Sequence, residues 1–238
     1  KADEKANNEL GISGIVLMEN AGRSAAEILL SRYPDAKNIG ILCGPGNNGG
    51  DGFVLPLPLA VVGIDASTLP TGKFAGYQGD ALLAARSSAS IGIRDFRSPD
   101  LQDEEISTLL LHADVIVDAL LGTCSKGAPR GEVLRLIRLL QTVFEEDLPA
   151  CPVLEQTPAT VPPMNKPPVV SLDIPSGIDP DSGEAGESVI SASLTITFLA
   201  PKIGLAVAPG SFHSGEVAQA HIGTPPALLL DPDAALHG

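Results

Sequence analysis

Ile39-Gly40-Ile41-Leu42-Cys43 runs directly into Gly44-Pro45-Gly46-Asn47-Asn48-Gly49-Gly50-Asp51-Gly52, and the reading of this junction decides the fold. The first five residues have the length and apolar character of a short buried strand. Five glycines in the next nine residues let the backbone turn tightly and approach a ligand closely. A loop that leaves a strand and opens a helix presents free N–H groups, which suits a phosphate. Two amides and a carboxylate in the same loop add chemistry that a plain glycine turn lacks. A strand-to-helix turn without a ligand is the simpler alternative, but glycine at this density is destabilising unless something requires it.

On the N-terminal side, residues 14–33 read as an amphipathic helix, with Leu17, Met18, Ala21, Ala25, Ile28 and Leu29 at three- and four-residue spacing. Glu19 and Asn20 on that surface are read as helix-packing partners. On the C-terminal side a helix is expected after Asp51. Pro56 and Pro58 interrupt it, because a proline inside a helix costs about 3 kcal/mol. A weak second strand at Ile64–Leu69, a helix over 78–90 and a third strand at Ile91–Phe96 follow. A helix over 101–111 carries Asp103, Glu104 and Glu105 in its first turn, where the dipole favours them. Ala113–Leu120 is a buried strand ending in Asp118, and a helix runs from 132 to about 145. Val169–Asp173 is another strand, followed by the turn Ile174–Pro180. Ser193–Leu199, Gly204–Val207 and Glu216–His221 complete the expected sheet, and the last dozen residues read as a tail. The stretch 147–168 holds prolines at 149, 152, 158, 162, 163, 167 and 168 and reads as a surface excursion.

Strands alternating with helices predict one α/β domain, a Rossmann-like three-layer sandwich with a mostly parallel sheet. Its ligand crevice should lie beyond the carboxyl ends of the strands. The glycine loop, Asp118 with its loop and Asp173 with its turn all follow strands, so they should line one pocket. With 44% apolar residues and 3% aromatics, the core falls to Leu, Val, Ile and Ala. A formal charge of −14 argues against nucleic acid or an anionic membrane surface as partner. Cys43, Cys124 and Cys151 are odd in number and lack ligand spacing, which predicts a reduced, cytoplasmic setting, or an organelle after processing.

Gly44, Gly46 and Gly49 match Gly-x-Gly-x-x-Gly, with Asp65 about twenty residues on, the pattern of a dinucleotide-binding dehydrogenase. Pro45 removes a donor, however, and Asn47, Asn48 and Asp51 crowd the turn with groups that a pyrophosphate loop does not need. Asn48, Asp118 and Ser176 offer hard oxygens, which favour an alkali or alkaline-earth cation. One carboxylate among neutral oxygens suits a monovalent ion better than calcium. Alternatively, Asp118 caps the loop that follows it. Asp173, ending an apolar strand, is the candidate for proton transfer, since desolvation there would favour its proton-holding form. It also reads as a hydrogen-bond partner of the 175–177 backbone. His112, His213, His221 and His237 are scattered and support no triad.

Five blocks, Leu17–Arg23, Gly44–Val54, Val117–Thr123, Leu172–Gly177 and Ala200–Leu205, resemble in order the signature blocks of the NAD(P)HX epimerases, the YjeF N-terminal domain family. The resemblance implies an isomerase that interconverts the R and S forms of hydrated NADH and NADPH, which carry a hydroxyl on C6 of the reduced ring. It implies a potassium ion on Asn48, Asp118 and Ser176. It places the nucleotide on Asn47, Asn48, Gly49, Gly50 and Asp51, on Gly122, Thr123, Cys124, Ser125, Lys126, Gly127 and Ala128, and on Asp173. Asp173 is then the catalytic proton carrier, and Lys202 adds positive charge nearby. A separate or fused dehydratase that consumes the S form is the implied partner, and a homodimer is expected. Cys124 stands where the family has a second glycine, Pro56 and Pro58 depart from its usual helix, and 147–168 reads as an insertion. A non-catalytic binding or dimerisation module is the second reading, and a dehydrogenase the third.

Overall fold

The computed structural model describes residues 12–125, 127–145 and 166–224. Most of the expected 147–168 excursion, Cys151, His237 and the tail lie outside them. Along the chain run α1 (Gly14–Arg32), β1 (Asn38–Cys43), α2 (Asn47–Val54), α3 (Pro56–Val61), β2 (Asp65–Pro70), α4 (Gly79–Ser90) and β3 (Arg94–Asp95). Then follow α5 (Asp103–Leu111), β4 (Val115–Ala119), α6 (Gly131–Glu145), β5 (Val169–Leu172), β6 (Leu194–Phe198), α7 (Ile203–Ala206), α8 (Gly210–His213) and β7 (Glu216–Ala220).

Seven strands form one sheet in the order β3-β2-β1-β4-β5-β6-β7, and every neighbouring pair is parallel. Such a sheet must be covered on both faces. Ile39, Ile41, Cys43, Val115, Val117, Val170 and Leu172 alternate onto one face, where α1, α2, α3 and α4 bury them. Leu42, Ile116, Leu120 and Val169 point to the other face, under Ile106 and Leu110 of α5 and Leu136, Ile137 and Leu140 of α6. The chain runs outward from β1 to β3, then crosses to β4 and runs outward the other way. The crevice therefore opens beyond the carboxyl ends of β1, β4 and β5. Register sets Leu42 opposite Asp118 and Asp118 opposite Ser171.

Asn20 is a packing residue as expected: its amide donates to Ile222 O at 3.0 Å and ties α1 to the exit of β7. Three elements differ from the expectation. The helix begins at Asn47, inside the glycine stretch. The interruption falls at Leu55, and Pro56 opens α3, where its missing N–H costs nothing. The Ile91–Phe96 strand shrinks to Arg94–Asp95. Gly204–Val207 is no strand: Ile203–Ala206 is one helical turn. A short apolar run does not distinguish the two states by periodicity. Here Leu205 packs with Ile174, Ile178 and Val189, and Gly204 donates to Pro180 O at 2.8 Å.

Candidate active site

The glycines explain how α2 comes so close to the sheet. A Cβ on Gly44 would lie 1.7 Å from the Leu120 carbonyl oxygen, and one on Gly49 would lie 1.9 Å from that of Gly44. Only bare backbone fits between β1, the start of α2 and the end of β4. That approach brings Asn48 to the ends of two further strands. Its Nδ2 donates to Leu121 O at 2.9 Å and to Leu172 O at 3.2 Å. Both carbonyls can only accept, so the amide orientation is forced. The Asn48 Oδ1 is left buried with no hydrogen-bond partner.

Asp118 is fully buried. Its Oδ1 accepts from Ser176 Oγ at 2.6 Å and from Leu120 N at 3.1 Å. Its Oδ2 accepts from Ser171 Oγ and Ser176 N, both at 2.9 Å. Ser176 Oγ in turn accepts from Leu121 N at 2.9 Å. Burial pushes the Asp118 carboxyl up, and the hydrogen bonds from Ser176, Leu120 and Ser171 pull it back only in part. The loop-capping alternative is thus realised, and the cap joins the ends of β4 and β5.

Asp173 follows β5 and is nearly buried. Its neighbours are not the apolar ones expected from the sequence. Lys202 Nζ lies 2.5 Å from Oδ1, and Thr123 N donates to Oδ2 at 3.0 Å. The backbone is turned to allow this. Asp173 has φ 67°, and Ile174 N closes back on Leu172 O at 2.8 Å, a γ-turn of the rare, strained kind. Such a residue costs about 1–3 kcal/mol and persists only where its surroundings over-determine it. Gly122 lies between the two functional side chains: a Cβ there would stand 3.0 Å from Asn48 Cβ and 3.2 Å from Asp173 Oδ2.

Asn48, Asp118, Gly122, Thr123, Asp173, Ser176 and Lys202 therefore form one cluster. Asn47 is exposed at the first position of α2, Cys124, Ser125, Gly127 and Ala128 are exposed on the loop beside the cluster, and Asp51 is half-buried in α2. Lys126 lies outside the described residues. Asp65 opens β2, so it lies at the amino ends of the strands, away from the crevice, and pairs with Arg94. It cannot serve as the ribose-binding acid of a dehydrogenase. No group of three His, Cys, Asp or Glu among the described residues could hold a metal ion. A cleft of about 810 Å³ between α5 and α6, lined in part by Glu104, Leu134 and Arg138, shares no residue with the cluster. Ser171, which donates to Asp118, and Thr197, which accepts from Lys202 Nζ, were missed from the sequence. The available signal was hydroxyls inside two apolar, buried strands, Ser171 in β5 and Thr195 and Thr197 in β6, each of which must find a partner. Among the described residues, no helix is long and apolar enough to cross a membrane.

Residues 14–204 match the family model described as YjeF-related protein N-terminus. A NAD(P)H-hydrate epimerase of Pirellula staleyi is 37% identical over 235 residues, covering 98% of this chain and 92% of that one. One of Rhodopirellula baltica is 35% identical over 228 residues, covering 95% and 82%. The bifunctional NAD(P)H-hydrate repair enzyme Nnr of Thermanaerovibrio acidaminovorans is 37% identical over 235 residues, and the chain spans 41% of its length. In fold, the crystal structure of yeast YNL200c superposes with a TM-score of 0.69 at 21% identity, covering 92% of this chain and 82% of that one. The chain belongs to the family of YjeF-related protein N-termini.

Proposed function

We propose that this chain is a NAD(P)H-hydrate epimerase, an isomerase that interconverts the R and S forms of hydrated NADH and NADPH. One observation carries the reading. Asp173 is held on both carboxylate oxygens beside side-chain-free Gly122, at the strand ends of a chain whose relatives bear that name.

In the substrate, C6 bears a hydroxyl and is bonded to the ring nitrogen N1. Asp173 takes the hydroxyl proton as the C6–N1 bond opens, its electron pair passing to N1 while C6 becomes a carbonyl. The proton held by Asp173 passes to N1. Reclosure on the opposite carbonyl face reverses each transfer, so nothing is oxidised, reduced or consumed. Asn47, Asn48, Gly49, Gly50 and Asp51, with the loop of Gly122, Thr123, Cys124, Ser125, Gly127 and Ala128, hold the ribose and phosphates. Lys126 belongs to the same reading. The S form then passes to a dehydratase, and the assembly is a homodimer, which sedimentation velocity tests.

Potassium is part of the reading. The buried, unpartnered Asn48 Oδ1 is a hard oxygen of the kind the ion takes. Asp118 and Ser176 would complete the set by exchanging one of their mutual hydrogen bonds. The ion supplies fixed positive charge when bound. Potassium is expected to raise the melting temperature relative to tetramethylammonium at equal ionic strength, and Asn48→Ala to abolish that difference. Equal melting in both salts would remove the ion from the scheme.

The function is tested with purified R-form hydrate coupled to a dehydratase that consumes only the S form. The chain should accelerate consumption, and a rate no higher than the uncatalysed one would sink the proposal.

A further inference from the structure

Lys202 stands at the N-terminal edge of α7, yet its side chain turns back to the ends of β5 and β6. Its ammonium donates to Phe198 O at 2.8 Å and to Thr197 Oγ1 at 2.9 Å, and it pairs with Asp173 Oδ1 at 2.5 Å. The side chain is 14% exposed. A desolvated lysine held by two hydrogen bonds and an ion pair is a fixed strut, whereas a surface lysine is a mobile charge.

The backbone supports the strut from both sides. Asp173 and Leu199 are the two non-glycine residues with positive φ among the described residues, at 67° and 62°. They follow adjacent strands, and each centres a three-residue turn closed at 2.8 Å, Ile174 N to Leu172 O and Ala200 N to Phe198 O. The first turn sets the direction of Asp173. The second folds the chain back after β6, so that Lys202 returns over the strand it has just left. Two strained turns converging on one ion pair mark a place where geometry is held for a purpose.

We infer that Lys202 is a positioning residue of the epimerisation, a strut from Thr197 and Phe198 that fixes where the Asp173 carboxylate meets the C6 hydroxyl. The inference rests on the function proposed above. Thr123 N holds the other oxygen from a loop, whereas Lys202 works from the sheet. Its loss should therefore release Asp173 to other rotamers without emptying the nucleotide site. A misplacement of about 1 Å at the reacting group costs about 10²-fold in rate.

The test is kcat, KM and melting temperature for Lys202→Met, Lys202→Arg and Thr197→Val in the coupled assay. Lys202→Met should lose about 10²-fold in kcat with KM within about twofold. Lys202→Arg, which keeps a charged donor, should recover part of the loss. Thr197→Val keeps the shape of its buried site and removes one anchor, so it should lose several-fold in kcat and carries the test should Lys202→Met not fold. Wild-type kcat in Lys202→Met or Thr197→Val, a loss confined to KM, or no recovery in Lys202→Arg overturns the inference. An inactive wild type would instead overturn the proposed function, which keeps the two failures distinct.

Discussion

Asp173→Asn is expected to lower kcat by about 10³-fold, since removing a positioned acid–base group costs 10²–10⁴. The fold should survive. Asparagine tolerates positive φ better than most residues, so the γ-turn at 173 can form. Its carbonyl can accept from Lys202, and Thr123, on a half-exposed loop, can yield to the amide. What the amide cannot do is hold and return a proton. The measurement is kcat with melting temperature on the same sample. An Asp173→Asn protein that turns over at the wild-type rate would reject Asp173 as the carrier, whatever its stability.

The second large effect is on folding. Asp118→Asn is expected to cost about 2–3 kcal/mol, because the new amide leaves one buried backbone donor without an acceptor. Both oxygens of Asp118 accept from a backbone N–H, Leu120 on Oδ1 and Ser176 on Oδ2. Ser171 and Ser176 hydroxyls can rotate to accept, but a backbone N–H cannot. Whichever way the new amide is placed, its NH₂ faces one of them. For a chain of this size the loss should appear as a fall of roughly 5–10 °C in melting temperature. It should appear without potassium too, because the donors are internal. Unchanged melting would show that the cap contributes nothing. The pH trend has a definite sign. Burial raises the Asp118 carboxyl, so the folded chain holds that proton more tightly than the unfolded one. Its contribution is greatest in acid and declines as pH rises through the raised value.

The positions of Asp118 and Asp173 were legible because each follows an apolar strand and precedes a turn, which in an alternating α/β chain places both at carboxyl ends. The helix starting at Asn47 was not legible. Glycine has poor intrinsic helix propensity, and close packing against β4 overrides it here. The tie between Lys202 and Asp173 was reached only as nearby charge, because it depends on Leu199 at positive φ, a conformation leucine does not announce. The same turn explains why Gly204–Val207 looked like a strand: the apolar residues are there, but the chain has already reversed. The Gly-x-Gly-x-x-Gly reading failed on position rather than pattern. Asp65 has the right spacing but lies at the amino end of its strand, away from the crevice.

The glycine stretch divides into two classes for anyone altering substrate preference. Gly44 and Gly49 leave no room for a single carbon, so no library should touch them. Gly46 is exposed, and a Cβ on it would meet nothing within 4 Å. It sits next to Asn47 at the mouth of the crevice. New recognition chemistry can be written there at one position, while the packing that holds Asn48 in place remains untouched.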